Sequence, residues 1–171
     1  MQRIAAFSLI LLVLFPLNGF AQTRKRSTTK TSRATATETT NFAEQAGKKR
    51  VADQIKVLTR FLYLLGGVAK GIEAMDEAAR RNEASPAIIE QAAKSKTTVR
   101  SSIQSMREEL DKLEIDFRAK PELQRYYIKL AGVANGAATA EELAAANQFD
   151  KAGRTLLDVV NRLTDVLSEM R

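Results

Sequence analysis

Carboxylates crowd one stretch of this chain: Glu108, Glu109, Asp111, Glu114 and Asp116 fall within nine residues. Such a cluster could coordinate a hard divalent cation. With imidazole at Glu-x-x-His spacing on inward helix faces, it could instead build a di-iron or di-manganese centre. The chain contains no His, so the second use is excluded. Lys112 follows Glu108 by four residues, the spacing of ion pairs along a solvated helix face, and that is the role expected of the cluster.

The other reactive residue types are as sparse. With no Cys there is no thiolate nucleophile, disulfide, thiolate metal site or lipid attachment through an N-terminal Cys. With no His there is no Ser-His-Asp triad and no His-ligated haem or zinc. Lys96 stands at an apolar-periodic position among Lys94, Ser95, Thr97, Thr98, Arg100, Ser101 and Ser102. Its stem is expected to pack while its ammonium reaches water. Tyr126 and Tyr127 point about 100° apart on a helix. Tyr127 is expected in the packed seam and Tyr126 at its margin. No phosphate-cradling Gly-rich loop and no nucleophile elbow is present. The expectation is a non-enzymatic protein with no catalytic, cofactor-binding or metal residues.

What remains is an apparatus for packing. Residues 41–171 are rich in Ala, Leu, Glu, Lys, Gln and Arg, which favour helix. Four apolar runs keep the 3-4 spacing of a helix seam. The first is Val51, Ile55, Leu58, Leu62, Leu65, Ala69 and Ile72; the second runs from Ile89 through Lys96 to Phe117. The third is Leu123, Tyr127, Leu130, Ala134 and Ala137; the fourth runs from Phe149 to Met170. This predicts an all-α, antiparallel up-down four-helix bundle with helices at about 41–82, 86–118, 121–146 and 149–170. Ser85-Pro86 and Lys120-Pro121 place Pro at the first helical position of two of them. The last turn is expected near Asn147-Gln148, with a kink or short interruption around Gly136 to Thr139.

Two features of the first helix go beyond a single seam. Phe61, Leu64, Val68 and Met75 form a second apolar flank, as suits a helix touching two neighbours. Gly67 and Gly71 make a G-x-x-x-G spacing, and each Gly costs roughly 1 kcal/mol against Ala in a helix. The expected compensation is close packing within the chain against a bulky residue such as Phe117 or Tyr127. The alternative is a homodimeric coiled-coil contact.

The N-terminal segment reads as an address. Arg3 is followed by the apolar stretch Ile4 to Leu17, and Gly19-Phe20-Ala21 supplies small residues for cleavage. Residues 1–21 are therefore expected to be a cleaved secretory signal peptide of a periplasmic or extracellular protein that is not a lipoprotein. Residues 22–40, Thr- and Ser-rich and without a large apolar residue, are expected to be a disordered arm. Between residues 22 and 50 lie Arg24, Lys25, Arg26, Lys30, Arg33, Lys48, Lys49 and Arg50 against Glu38 and Glu44, a net +6. Residues 51–171 balance 18 positive against 18 negative side chains. Those eight basic residues are the candidate contacts to an anionic partner: membrane, glycan or nucleic acid. The leading expectation is an exported bundle that binds a protein or an anionic envelope polymer, with no transmembrane span after cleavage. In length and helix order the chain is similar to small periplasmic four-helix cytochromes, but it has no residue to ligate haem.

Overall fold

The computed structural model describes residues 31–170, with side chains from Asn41 onward. The segment expected to be a signal peptide, and residues 22–30 of the expected arm, lie outside it. Among the described residues every regular element is helical: α1 (Thr31–Arg80), α2 (Pro86–Ala119), α3 (Gln124–Leu130), α4 (Val133–Ala145) and α5 (Phe149–Glu169). α1 starts ten residues before the expected boundary at Asn41, so its first turns fall within the segment read as an arm.

Short turns join the rods, and their residue types explain their positions. Asn82 and Asn147 hold φ of 57° and 59°. Asn tolerates this left-handed region better than most residues and often closes a helix. At the second turn the Gln148 N–H donates to the Leu143 carbonyl at 2.8 Å, completing a hydrogen-bonded stop where the sequence placed the turn. Pro86 opens α2 as expected. Pro121 instead falls in a turn, and α3 starts at Gln124.

The interruption in the third rod lies elsewhere than expected. It falls at Ala131-Gly132, where Gly132 takes φ of 94°. Gly136 and Thr139 lie inside α4. Thr139 Oγ1 donates back to the Asn135 carbonyl at 3.1 Å instead of capping a new helix. A Cβ on Gly136 would sit 2.7 Å from Val159 Cγ2, so this glycine serves close approach of α4 to α5. The chain breaks at Gly132 because Glu114, on α2, supplies the missing cap. Its Oε1 accepts from the Gly132 and Ala134 N–H groups at 3.1 and 2.7 Å. A carboxylate there satisfies free donors and complements the helix dipole.

Neighbouring rods run in opposite directions. Arg50 pairs with Asp116 and Asp76 with Lys96 between α1 and α2, while Arg107 pairs with Glu141 between α2 and α4. Gly136 lies on Val159 between α4 and α5, and Gly47 and Gly153 meet Met170 and Leu65 between α1 and α5. The shared interior contains Leu58, Ile103, Leu110, Leu113, Phe117, Leu130, Leu156 and Leu163, each essentially inaccessible to water. No polar or charged residue is buried among the described residues. Burying such surface is worth about 25 cal/mol per Å², the main term holding the rods together.

The rods differ in length. α1 has 50 residues and α2 has 34, against 21 in α5. The Arg100 guanidinium marks the level of the α4–α5 turn, donating to the Ala144 and Ala145 carbonyls and to Asn147 Oδ1. Beyond it, α1 and α2 continue as a two-helix hairpin. Ile89, expected to begin the α2 seam, is therefore 52% exposed.

Candidate interaction surface

Arg24, Lys25, Arg26 and Lys30 lie outside the described residues, and Arg33 is described in its backbone alone. Lys49 bonds Asp53 at 2.7 Å along α1 and stays exposed. That hydrogen bond, foremost, holds the Asp53 carboxyl below its ordinary range. Arg50 is drawn into the fold: its Nη1 lies 2.5 Å from Asp116 Oδ2. Asp116 Oδ2 is shut off from water but has no well-aligned hydrogen bond, so the pair is chiefly coulombic. Lys120 satisfies the other oxygen at 2.8 Å. Of the three basic residues 48–50, Lys48 alone has no ion-pair partner among the described residues.

The acidic cluster is spread around α2 and divided among separate tasks. Glu108 accepts from Gln104, Glu109 from Lys112, Glu114 caps α4 and Asp116 holds Arg50 and Lys120. The Lys112 bond lowers the Glu109 pKa and raises that of Lys112. No group of three or more His, Cys, Asp or Glu among the described residues is placed to hold a metal ion. Lys96 packs its stem at the seam, and its ammonium bonds Asp76 Oδ1 at 2.7 Å. The tyrosines exchange their expected places. Tyr126 is 5% exposed, with its hydroxyl accepting from Arg125 Nη2 at 2.5 Å, and Tyr127 is only partly buried. The buried seam of this rod is Leu123, Tyr126, Leu130, Val133, Ala137, Ala140 and Ala144, which keeps its 3-4 spacing straight through the break at Gly132 and takes Tyr126 where the expected phase took Tyr127.

The unexplained surface is the outer side of α1. Val57, Tyr63, Leu64 and Val68 are 51, 86, 57 and 40% exposed. Val57, Phe61, Leu64, Val68, Gly71 and Met75 step 4-3-4-3-4, a complete second seam one residue out of phase with the buried one. The flank was expected to find a second neighbour within the chain. α1 touches both α2 and α5, and Phe61 and Met75 of this stripe pack partly against the core, while Val57, Leu64 and Val68 stay open to water. Gly71 lies in the stripe, Gly67 on the solvent side of it and Gly66 towards α5, and a Cβ on any of them would meet no atom within 4 Å. The expected packing against Phe117 or Tyr127 does not form. Phe117 is fully buried in the interior.

Beside this stripe runs a groove of about 320 Å³, walled by Phe61, Leu64 and Val68 of α1 and by Gln91, Ser95, Thr98 and Ser102 of α2. A shallower depression bordered by Asp53, Lys56, Val57 and Arg60 shares Phe61 and Leu64 and prolongs it. Two hydroxyls of the α2 wall are occupied locally. Thr98 Oγ1 donates to the Lys94 carbonyl and Ser102 Oγ to the Thr98 carbonyl at 2.9 and 2.8 Å. A helix could therefore cover these two positions without stranding a polar hydrogen. Val57 is the member that the sequence reading missed. The one-residue phase offset from the buried seam was the signal that could have found Val57.

Among the described residues no helix is long and apolar enough to cross a membrane. No family model, curated protein or solved structure matches the chain.

Proposed function

We propose that this chain is an exported, non-enzymatic docking protein. In this reading it is an up-down four-helix bundle that follows a cleaved signal peptide and a basic arm, and it works through the outer face of α1. One observation carries the reading: Val57, Leu64 and Val68, at helical spacing with the half-buried Phe61 among them, lie open to solvent along a groove between α1 and α2. Contiguous exposed apolar surface of this kind marks interaction sites on soluble proteins. The spacing specifies a helical occupant, because successive anchors three and four residues apart match a helix laid alongside. The chemistry of the groove fits adhesion better than turnover. Its walls are apolar side chains of α1 and small polar side chains of α2, with Lys94 the one charged residue among those lining it.

The test is site-specific photocrosslinking in the producing cell. A photoreactive residue at Leu64 is expected to trap a discrete polypeptide. The same residue at Ile128, which is 80% exposed but stands on α3 away from the groove, is expected to trap none. Equal labelling at both positions, or none at either, refutes the reading.

A further inference from the structure

We infer that the occupant of this surface is an acidic amphipathic helix of another protein, its apolar side seated on Val57, Leu64 and Val68 and carboxylates on its flanks meeting Lys56, Arg60 and Lys94. This rests on the docking reading above and adds the chemistry of the partner.

The first support is where the cations stand. Lys56 and Arg60 border the depression that contains Val57, Phe61 and Leu64, on the α1 side. Lys94 lines the groove from the α2 side. Basic side chains thus flank the apolar strip on both helices, and all three are exposed. Side chains of this length can pack their stems beside an apolar partner while their charged heads reach its polar edges.

The second support is that this positive charge is local and uncompensated. Residues 51–171 as a whole balance 18 positive against 18 negative side chains. Around the groove and the depression that prolongs it, Asp53 is the only acid to set against Lys56, Arg60 and Lys94. Asp53 is already committed to its own helix, with Lys49 at 2.7 Å and Lys56 at 3.4 Å. Arg60 and Lys94 have no ion-pair partner among the described residues. A partner bearing carboxylates would therefore find cations to pair with, and a basic partner would meet repulsion on both rims.

The third support is the form of the cleft. Leu65 and Val99, both buried, close its floor between the two helices. One wall is apolar and the other carries small polar groups, so an occupant needs an apolar side toward α1 and polar sides elsewhere. An amphipathic helix has that division. A bilayer is also apolar beneath an anionic surface, but a broad flat surface leaves a cleft between two rods unfilled, whereas a rod lies along it. From Val57 to Val68 the strip is about 17 Å long at about 1.5 Å per residue, the length of about three turns of a docked helix.

Fluorescence anisotropy of labelled synthetic helices titrated with the purified protein tests this. One probe carries leucines at 3-4 spacing with glutamates on both flanks of that stripe; its counterpart has lysine in place of every glutamate. The glutamate probe is expected to bind with a Kd of about 100 µM or lower. The lysine probe should bind at least about tenfold more weakly. R60E/K94E should weaken the glutamate probe about tenfold and tighten the lysine probe. Both residues are exposed, so circular dichroism should show unchanged helix content in the variant. In the producing cell the same variant should lose most of the Leu64 adduct. Equal affinity for the two probes, no binding of the glutamate probe, or an R60E/K94E variant that binds both as the wild type does overturns the inference. Capture by phosphatidylglycerol vesicles with neither probe bound overturns it too, since the cations then serve a lipid surface. If Leu64 traps a polypeptide while the probes show no charge preference, the acidic partner falls and the docking face stands. A wild type without a Leu64 adduct removes both.

Discussion

Replacing Gly67 and Gly71 with Ala should stabilise the monomer. Both lie in the interior of α1, and neither has a positive φ. A methyl group at either would meet no atom within 4 Å, so there is nothing to clash with and nothing to displace. The gain is then the helix-propensity difference, about 1 kcal/mol per site, because Gly loses more backbone freedom than Ala on entering a helix. The sites are one turn apart and share no partner, so about 2 kcal/mol is expected for the pair. For a domain of this size that corresponds to a rise in Tm of about 4–8 °C.

Thermal unfolding followed by circular dichroism at about 1 µM measures this with any self-association diluted away. Gly136→Ala is the internal contrast. Its methyl would lie 2.7 Å from Val159 Cγ2, between two packed helices, so the same chemical change should destabilise. Overpacking of this order costs about 1–3 kcal/mol, more than the propensity gain returns. A fall in Tm for the Gly67/Gly71 pair would refute the reasoning, since it would require a close neighbour within the single chain.

Two further outcomes follow from contacts in the fold. Glu114→Ala should lower the urea midpoint by an amount equivalent to about 1–2 kcal/mol, because the Gly132 and Ala134 donors lose their acceptor, with Glu114→Gln intermediate. Asp53, Glu77 and Glu109 are held below their ordinary pKa chiefly by hydrogen bonds from Lys49, Arg80 and Lys112 respectively. Their contribution is present above the unfolded-state values near pH 4 and is lost as pH falls through the lower folded values. With no His in the chain, helix content should be flat from about pH 5 to 8 and decline only in stronger acid.

The interior was legible in the sequence because burial and helical period are local signals that agree. Val51, Leu58, Leu65 and Ile72 read as one stripe and are one stripe, each 4% exposed or less. The turn at Asn147 was legible for a similar reason, since Asn suits the left-handed position it takes. The break at Gly132 was not, because its cap comes from Glu114, 18 residues earlier and on another helix. A kink was expected around Gly136 to Thr139, but the close approach of Gly136 to Val159 belongs to an α4 that runs straight through both residues. The buried seam keeps its 3-4 spacing through the break at Gly132, from Leu123 to Ala144, and it takes Tyr126 in place of Tyr127.

The outer seam exposes a limit of periodicity itself. A stripe at 57, 61, 64, 68, 71 and 75 and a stripe at 58, 62, 65, 69 and 72 carry the same pattern. Spacing says that each face is made to pack, and it does not say whether the chain holds enough helix to cover both. The lengths answer that. α1 has 50 residues, about 75 Å, while α2 with 34 spans about 51 Å and α5 with 21 only about 32 Å. These partners occupy adjoining sides of α1, and both point their apolar faces into the common interior. No further described helix remains to lie on the far side. A seam with the right residues and no covering helix left among the described elements must take its covering from outside the chain or remain in water. Full burial of such a side chain contributes about 1.5–3 kcal/mol, and with Val57, Leu64 and Val68 40–57% exposed and Phe61 already half-buried, a covering helix would recover only part of that at each position.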